Sequence, residues 1–313
     1  MRIFRHFADL PDDARGAAIA VGNFDGVHRG HLGVIGEAGR IAKTAGAPWA
    51  VMTFEPHPRG VFIPDTPPFR LTPLRAKARE IAALGVDYLF VPRFDLAFSR
   101  MAAEDFIHDI IVEGLQAQHV VCGYDFVFGH GRQGDSEMLL RSGRADGFGF
   151  TCVQQVQDGQ REGFSATRAR QCLRHNDPRG ATHVLGRPFE IEGRVLVGDR
   201  RGRTIGYPTA NLSLAEYLRP VNGVYAVRVG LDDDSDTTWH DGVANIGLRP
   251  TFAKEDVVLE AHLFDFGGDL YGKRVRVALI DFLRPEQKFD GIADLKAQIA
   301  EDSENARRIL ARA

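Results

Sequence analysis

The stretch AAIAVGNFDGVHRGH, residues 17–31, decides how the first half of the chain folds. Its apolar run at 17–21 predicts a buried strand, and a helical pattern begins at about Gly30. Glycines at such a junction let a nucleotide approach the backbone, and the free N–H groups at a helix amino end attract phosphate. The stretch therefore predicts a phosphate site at the end of a strand.

The two histidines of this stretch indicate the chemistry. His28 and His31 lie three residues apart, which puts both imidazoles on one side of the first helical turn. There they can hydrogen-bond to an α-phosphate that gains charge in a transition state. A lone HxxH is more often a helix cap, but the glycine-rich junction favours nucleotidyl transfer. The predicted ATP contacts in this stretch are Gly22, Asn23, Phe24, Asp25, His28 and His31.

Outward from this stretch, short apolar runs alternate with helical patterns. Such strands need burial on both faces, which predicts an α/β Rossmann-like parallel sheet with helices on both faces. These sheets bind ligands at the carboxyl ends of their strands. The predicted strands are 17–21, 49–54, 87–91, 119–122 and 148–156, and the predicted helices are 30–45, 73–84, 103–115, 136–144, 167–174 and 178–185.

The periodicity changes to two after Gly186-Arg187-Pro188. Apolar and polar residues then alternate in segments separated by turns, which predicts an antiparallel β-barrel, or a sandwich, with a C-terminal helix. Because 313 residues exceed the usual size of one core, we expect two domains, 1–185 and 186–313. The predicted strands are 189–197, 223–229, 241–246, 257–266 and 274–282, followed by a helix at 292–311.

Composition excludes several classes of protein. The chain is 44% hydrophobic and 26% charged, as in ordinary globular proteins, and its net charge of −3 does not favour nucleic acid. Three cysteines, at 122, 152 and 172, match neither a redox pair nor a zinc spacing, and fit a reducing compartment. Neither a signal peptide nor a long apolar span is apparent. We expect a cytoplasmic protein with no membrane or nucleic-acid partner.

A second nucleotide-binding segment is predicted by position. The segment His28-Arg29-Gly30-His31 resembles the HxGH motif of nucleotidyltransferases. Enzymes with this motif also carry a distal Ser/Thr/Arg loop that binds the triphosphate. Ser165, Thr167 and Arg168 stand where that loop should be, with Arg170 beside them. Two hydroxyl donors and an arginine suit a phosphate tail. By itself, the segment is only a helix cap with a basic first turn.

Two loops after predicted strands carry further candidates. In GYDFVFG, residues 123–129, Asp125, Phe126 and Phe128 offer aromatic rings and a carboxylate to a flat, partly polar ring system. Core packing explains both phenylalanines equally well. In TFEPHPR, residues 53–59, His57 fits either a site or a structural turn.

The barrel half contains its own phosphate motif, GDRRGRTIGYPTAN at residues 198–211. Glycines among basic residues can wrap polyphosphate, and Thr209 and Asn211 offer neutral oxygens on one side of an extended segment. A magnesium ion held by ATP needs only one or two such protein oxygens, so we predict both residues as its ligands. A hairpin shaped by glycine and proline is the alternative. The predicted ATP contacts are Gly202, Arg203, Gly206, Pro208, Thr209 and Asn211.

A base is expected near the attacking hydroxyl of a kinase substrate. In LEAHLFDF, residues 259–266, alternation puts Glu260, His262, Phe264 and Phe266 on one face of a strand. A carboxylate beside aromatic rings is a suitable base next to a flat substrate. A glutamate exposed on the surface is the more common reading of one strand residue.

Together these motifs resemble the bacterial bifunctional riboflavin kinase/FMN adenylyltransferase family over nearly the whole chain. The matching motifs include GNFDGVHRGH, TFEPHP, SATRAR, IGYPTAN and EAHLFDF. The resemblance implies that the barrel phosphorylates riboflavin to FMN with ATP and that the Rossmann-like domain adenylylates FMN to FAD, with Mg²⁺ in both steps. It implies transition-state stabilisation by His28 and His31, and a base role for Glu260. It also implies that the flavin is bound by Asp125, Phe126 and Phe128. FAD and pyrophosphate would be the final products.

Two positions depart from the family pattern. Ala166 replaces a serine that the family commonly has, which removes a hydroxyl donor, and Asp125 stands where some members have asparagine. The lost hydroxyl is compatible with a weaker adenylyltransferase, and Asp125 adds a negative charge close to a polyanionic ligand unless it binds a cation. Neither change abolishes the motif. The competing interpretations are a different adenylyltransferase with an unrelated barrel, which would leave Thr209, Asn211 and Glu260 without a task, and a nucleic-acid-binding module, which the charge disfavours. The oligomeric state is not predicted.

Overall fold

A computed structural model describes residues 1–7, 10–196, 206–233, 236–250 and 255–313. The chain forms two compact units: Met1–Pro67 with Thr72–Ser165, and Pro68–Leu71 with Ala166–Ala313. The short segment Pro68–Leu71 belongs to the second unit, although the residues on both sides of it belong to the first. No single boundary in the sequence describes this division. The predicted boundary between residues 185 and 186 stays a prediction.

The first unit contains a six-stranded parallel sheet in the order β1-β4-β3-β2-β5-β6. The sheet is covered on both faces, because Ile19 and Val21 of β2 belong to one core cluster and Ala20 to another. This confirms the predicted fold class. The strands are β1 Arg2–Phe4, β2 Ala18–Val21, β3 Trp49–Met52, β4 Tyr88–Phe90, β5 His119–Gly123 and β6 Gly149–Val153.

Three elements of this unit differ from the sequence prediction, and the first is the short helix Pro58–Phe62, which was not predicted. The helix expected at 103–115 starts as Ala103–Asp105 and continues as a π-helix over Phe106–Gly114. Strand β1 was not predicted, because it has three residues and lies at an exposed edge. The remaining helices are α1 Arg29–Ala45, α2 Pro58–Phe62, α3 Leu74–Ala82 and α5 Ser136–Asp146, with α4 the segment Ala103–Asp105.

The second unit contains a six-stranded antiparallel sheet in the order β7-β12-β9-β10-β11-β8. The Leu196 N–H donates to the Asn211 carbonyl at 2.8 Å, which joins the two outer strands and nearly closes the sheet into a barrel. The strands are β7 Phe189–Arg194, β8 Ala210–Ser213, β9 Gly223–Asp233, β10 Asp236–Pro250, β11 Glu255–Leu263 and β12 Arg274–Arg284.

In the described part of this unit, three helices accompany the barrel: α6 Ala166–Arg174, α7 Pro178–Leu185 and α8 Ile292–Leu310. Helix α8 buries Ala306 and Leu310 against a cluster that contains Val243 and Ile280 of the barrel. The predicted C-terminal helix and its packing are therefore confirmed. Among the described residues, no helix has both the length and the apolar character that a membrane crossing requires.

A buried ion pair attaches α8 to β12. Arg284 donates to both carboxylate oxygens of Asp302 at 2.8–3.1 Å, and the Asp302 side chain is 5% exposed. Gln298 also donates to this carboxylate, at 3.2 Å. Because the pair is desolvated, removal of one charge leaves the other uncompensated.

We expect Asp302→Asn to lower the free energy of unfolding of the second unit by about 3 kcal/mol. Urea unfolding followed by circular dichroism measures this loss. Asp265→Asn is the matched control. Asp265 forms an exposed ion pair with Arg307, which lies on α8 as Asp302 does. Equal losses of unfolding free energy in the two variants would show that the buried Asp302 pair stabilises the unit no more than the exposed Asp265 pair.

Candidate active sites

The end of β2 is the point where the connections of the parallel sheet change direction. The chain runs from β2 to β3 on one side and later returns to β5 on the other side. In open parallel sheets, ligands bind in the crevice at such a point, beyond the carboxyl ends of the strands. The HxGH segment follows β2 directly, so it lies at this crevice.

His28 caps helix α1. Its Nδ1 accepts a hydrogen bond from the His31 N–H at 3.2 Å, and its side chain is largely buried, at 6% exposure. Since Nδ1 accepts, the neutral ring carries its proton on Nε2, which is then the donor. The rings of His28 and His31 stack with centroids 3.5 Å apart. The capping role and the proposed chemical role are thus compatible.

The motif needs glycine at position 30 because a side chain has no room there. A Cβ at Gly30 would lie 2.7 Å from the carbonyl oxygen of Phe164 and 3.1 Å from the His28 ring. Backbone cannot yield to such a contact, so Gly30 allows the segment around Phe164 to lie against α1. Arg29 adds a contact from the helix, with its guanidinium 5.6 Å from the centre of the Phe164 ring.

Two of the predicted ATP contacts, Phe24 and Asp25, are buried in the first unit. Asp25 is 3% exposed, and its Oδ1 accepts a hydrogen bond from the Thr72 N–H at 3.0 Å, while the Gly26 N–H donates to Thr72 Oγ1 at 2.8 Å. Phe24 is buried at a φ of 46°, in the left-handed region that non-glycine residues rarely adopt. The structure gives both residues a role in shaping the loop, and their direct contact with ATP stays a prediction.

Sequence reasoning missed Lys77. Its side chain on α3 has 0% exposure, and its Nζ donates to the Asn23 carbonyl at 2.8 Å, to Thr53 Oγ1 at 3.0 Å and to Glu55 Oε1 at 3.3 Å. The lysine therefore ties the loop after β2 to the loop after β3. Its position four residues before the buried Ile81 was the available signal, because both lie on the apolar stripe of α3.

We expect Lys77→Met to slow FAD formation from FMN by roughly tenfold, because the Asn23 carbonyl and the Glu55 carboxylate lose a shared charged donor of about 1.5–3 kcal/mol. FMN formation from riboflavin should stay within twofold of the unmodified rate. Both rates are measured by chromatography on the same protein. Lys43→Met, at an exposed position near the end of α1, is the control. An unchanged rate of FAD formation would contradict the role of Lys77.

The predicted flavin residues follow β5 but differ in their burial. Asp125 is exposed and Phe126 is partly buried, whereas Phe128 is 7% exposed and packs in the core against Phe106, with ring centroids 5.2 Å apart. A Cβ at Gly134 would meet the Phe128 ring at 2.5 Å, so this ring is covered. The structure shows packing for Phe128, and its contact with flavin stays a prediction.

An aromatic surface was missed by sequence reasoning. Phe94, which follows β4, contacts Phe62 of α2 with ring centroids 5.8 Å apart. Phe62, Ile63 and Leu96 are 56–59% exposed. The loops carrying these residues follow β3 and β4, so they belong to the carboxyl edge of the sheet. Such a surface suits a flat ring system as well as Phe126 does.

The predicted triphosphate residues fall on both sides of the division between the units. Ser165 ends the first unit, and Thr167 and Arg168 lie in the first turn of α6 in the second. Thr167 is exposed, and Arg168 is half-buried. Arg170 of the same helix donates to the Phe69 carbonyl at 2.9 Å and lies over the Phe69 ring, so it anchors the segment Pro68–Leu71.

In the barrel, strand pairing brings the predicted base beside a predicted magnesium ligand. Glu260 of β11 is in register with Asn211 of β8 on one side and with Asn245 of β10 on the other. Asn211 is 6% exposed, and its side-chain amide donates to the Thr209 carbonyl at 3.4 Å. The Asn211 amide oxygen is then the atom suited to a cation. Asn245, which the sequence analysis did not select, donates to Glu286 at 3.1 Å.

A cavity adjoins this row of polar residues. It is lined by Pro208, Thr209, Asn211, Phe266, Leu270 and Tyr271, among others. Gly206 has a φ of 92°, which glycine alone adopts readily. Gly202 and Arg203 lie outside the described residues. The sequence analysis expected Phe264 on the same strand face as Glu260. In the structure β11 ends at Leu263, and Phe264 is buried against α8.

The cysteines do not form a site in the described residues. All three are free thiols, and Cys122 lies beside Cys152 in the register of β5 and β6. Burial raises the pKa of the Cys122 thiol to about 12, which keeps it protonated and unreactive. The described part of the chain also has no group of three or more His, Cys, Asp or Glu residues that could hold a metal ion.

Comparison with known proteins matches this division of sites. A family model described as FAD synthetase matches residues 10–168, and one described as riboflavin kinase matches residues 185–310. The bifunctional riboflavin kinase/FMN adenylyltransferase of Escherichia coli strain K12 is 44% identical over 98% of this chain and 97% of its own. The chain belongs to the bifunctional riboflavin kinase/FMN adenylyltransferase family. It is therefore an ATP-using transferase of flavin cofactor synthesis.

One further relative supports the family over the full length, and one solved structure shares the fold. The enzyme of Pseudomonas fluorescens with the same name is 41% identical over 99% of this chain and 98% of its own. A crystal structure of a protein from Streptococcus pneumoniae, described as a macrolide-efflux protein, shares 30% identity with a TM-score of 0.85 and covers 98% of both chains. The name of that structure describes a different activity, but its fold is the same.

Proposed function

We propose that the second unit phosphorylates riboflavin to FMN with ATP and that the first unit transfers AMP from a second ATP to FMN. The observation that supports this division is that the Glu260 and Asn211 pair lies on the barrel while the stacked His28 and His31 lie at the sheet crevice. Each family model falls on one of these sets. Each unit thus has its own phosphate-handling side chains.

In the kinase reaction, Glu260 accepts the proton of the ribityl 5′-hydroxyl as its oxygen attacks the γ-phosphorus of ATP. The bond from that phosphorus to the bridging oxygen breaks, and ADP leaves. Thr209 and Asn211 hold a magnesium ion that ATP brings, and their neutral oxygens suit this hard cation. When bound, magnesium neutralises charge on the phosphates. Gly202, Arg203, Gly206 and Pro208 contact the polyphosphate.

In the adenylyl transfer, a phosphate oxygen of FMN attacks the α-phosphorus of ATP, and pyrophosphate leaves. The Nε2–H group of His28 and the His31 ring stabilise the charge that develops on the α-phosphate. Ser165, Thr167 and Arg168 hold the triphosphate, while Asp125 and Phe126 contact flavin. Ala166 removes one hydroxyl from this set, so we expect adenylyl transfer to be the slower step.

A single assay tests both activities. Purified protein is incubated with riboflavin, ATP and magnesium chloride, and FMN and FAD are separated by chromatography over time. The proposal predicts that FMN appears first and then converts to FAD. Accumulation of FMN without FAD would limit the function to the kinase, and absence of both would contradict the proposal.

The setting of the enzyme is part of the proposal. We propose a cytoplasmic enzyme whose partners are riboflavin, FMN, FAD and ATP, without a membrane or nucleic-acid partner. The sparse cysteines and the net charge of −3 support this setting. The division into domains at 185 and 186 is likewise proposed, with the riboflavin kinase family model beginning at residue 185.

A further inference from the structure

The backbone just before β8 carries Thr209, one of the two proposed magnesium ligands, and lies beyond the sheet ladder, whereas Asn211 lies within β8. Strand β8 pairs with β11 from Ser213, opposite Val258, to Ala210, opposite Ala261. Residues 206–209 precede the last of these pairs. The orientation of Thr209 therefore depends on contacts other than the ladder.

One side chain supplies such a contact. The Nδ1 atom of His262 on β11 lies 2.9 Å from the Pro208 carbonyl oxygen. A carbonyl oxygen only accepts hydrogen bonds, so Nδ1 must carry the proton and donate it. The bond lies one residue beyond the last ladder pair, so it extends the attachment of this segment to β11.

The His262 ring is itself held in place. The Tyr207 ring meets it edge-on with centroids 5.3 Å apart, and the Phe264 ring lies 6.0 Å from it at an angle of 71°. On the other side of Pro208, the Thr209 carbonyl accepts the Asn211 side-chain amide. Consecutive carbonyls, at 208 and 209, are thus fixed by two side chains, which sets the direction of the threonine between them.

We infer that His262 is a positioning residue of the kinase site, whose Nδ1–H group fixes the Pro208 carbonyl and so directs the Thr209 and Asn211 oxygens toward magnesium–ATP. This inference rests on the proposed roles of Thr209 and Asn211. It gives His262 no contact with substrate and no part in proton transfer. The residue acts on ATP binding through the backbone of the segment that it holds.

Two variants separate this role from packing. His262→Phe keeps an aromatic ring between Tyr207 and Phe264 but removes the donor, and we expect it to raise the KM for ATP in FMN formation by about threefold to tenfold. His262→Asn carries a side-chain N–H near the position of Nδ1, and we expect it to restore most of the affinity. The kcat should change less than KM, since Glu260 is untouched. Thermal unfolding and FAD formation from FMN serve as internal controls.

The outcomes distinguish the inference from the proposed function. An unchanged KM for ATP in His262→Phe, or an equal loss in both variants, would overturn the positioning role. A fall in kcat alone would also overturn it. If the unmodified protein forms no FMN, the kinase proposal fails, and titration calorimetry with magnesium–ATP on the same variants then tests the inference. One of the dissociation constants for magnesium–ATP should rise in His262→Phe and return toward the unmodified value in His262→Asn. An unchanged isotherm would overturn the inference.

Discussion

Replacing Glu260 with glutamine is expected to lower the rate of FMN formation from riboflavin by about 10²- to 10⁴-fold, the usual contribution of a general base. Glutamine keeps the size of the side chain and its place between Asn211 and Asn245 but cannot accept the hydroxyl proton. The effect should fall on kcat, because ATP binding does not require the base. Initial rates of FMN formation at saturating ATP and riboflavin measure it.

The same protein contains the control for this variant. FAD formation from supplied FMN takes place in the other unit and should match the unmodified rate. Glu304→Gln, at an exposed position on α8, should leave both rates unchanged. Kinase turnover near the unmodified value in Glu260→Gln would remove Glu260 from the role of base.

Replacing His28 with asparagine is expected to reduce FAD formation from FMN by about 10²- to 10³-fold, the usual cost of losing one donor to a transition-state charge. Asparagine is a good N-cap, so it can still accept the His31 N–H and preserve the start of α1. The loss should therefore reflect chemistry and not the folding of the helix. Single-turnover rates of FAD and pyrophosphate formation measure it.

Three comparisons test this assignment. FMN formation from riboflavin by His28→Asn should be unchanged, because that reaction belongs to the other unit. His108→Asn replaces an exposed histidine of the first unit and should leave FAD formation intact. If His28→Asn retains more than half of the adenylyl transfer rate, the ring of His28 is only a cap.

The sequence by itself determined the two fold classes and predicted the regions of their sites. Apolar strands that alternate with helices specify a parallel sheet, and segments with a period of two specify an antiparallel one, because each pattern fixes which faces must be buried. The glycines around His28 likewise predict a phosphate loop, since backbone space and helix ends are local properties. Most elements of both units follow from such short-range signals, whereas the short elements β1, α2 and β8 were not predicted.

Only the tertiary structure decided which side chains act together. The apolar stripe of α3 places Lys77 on the buried face, but only the fold brings its Nζ to the oxygens of two loops. Asp25 likewise accepts a hydrogen bond from Thr72, 47 residues along the chain. Strand register placed Glu260 between two asparagines, and His262 reached the Pro208 carbonyl. Register, burial and long-range hydrogen bonds depend on how distant segments pack, and no local pattern of residues encodes that packing.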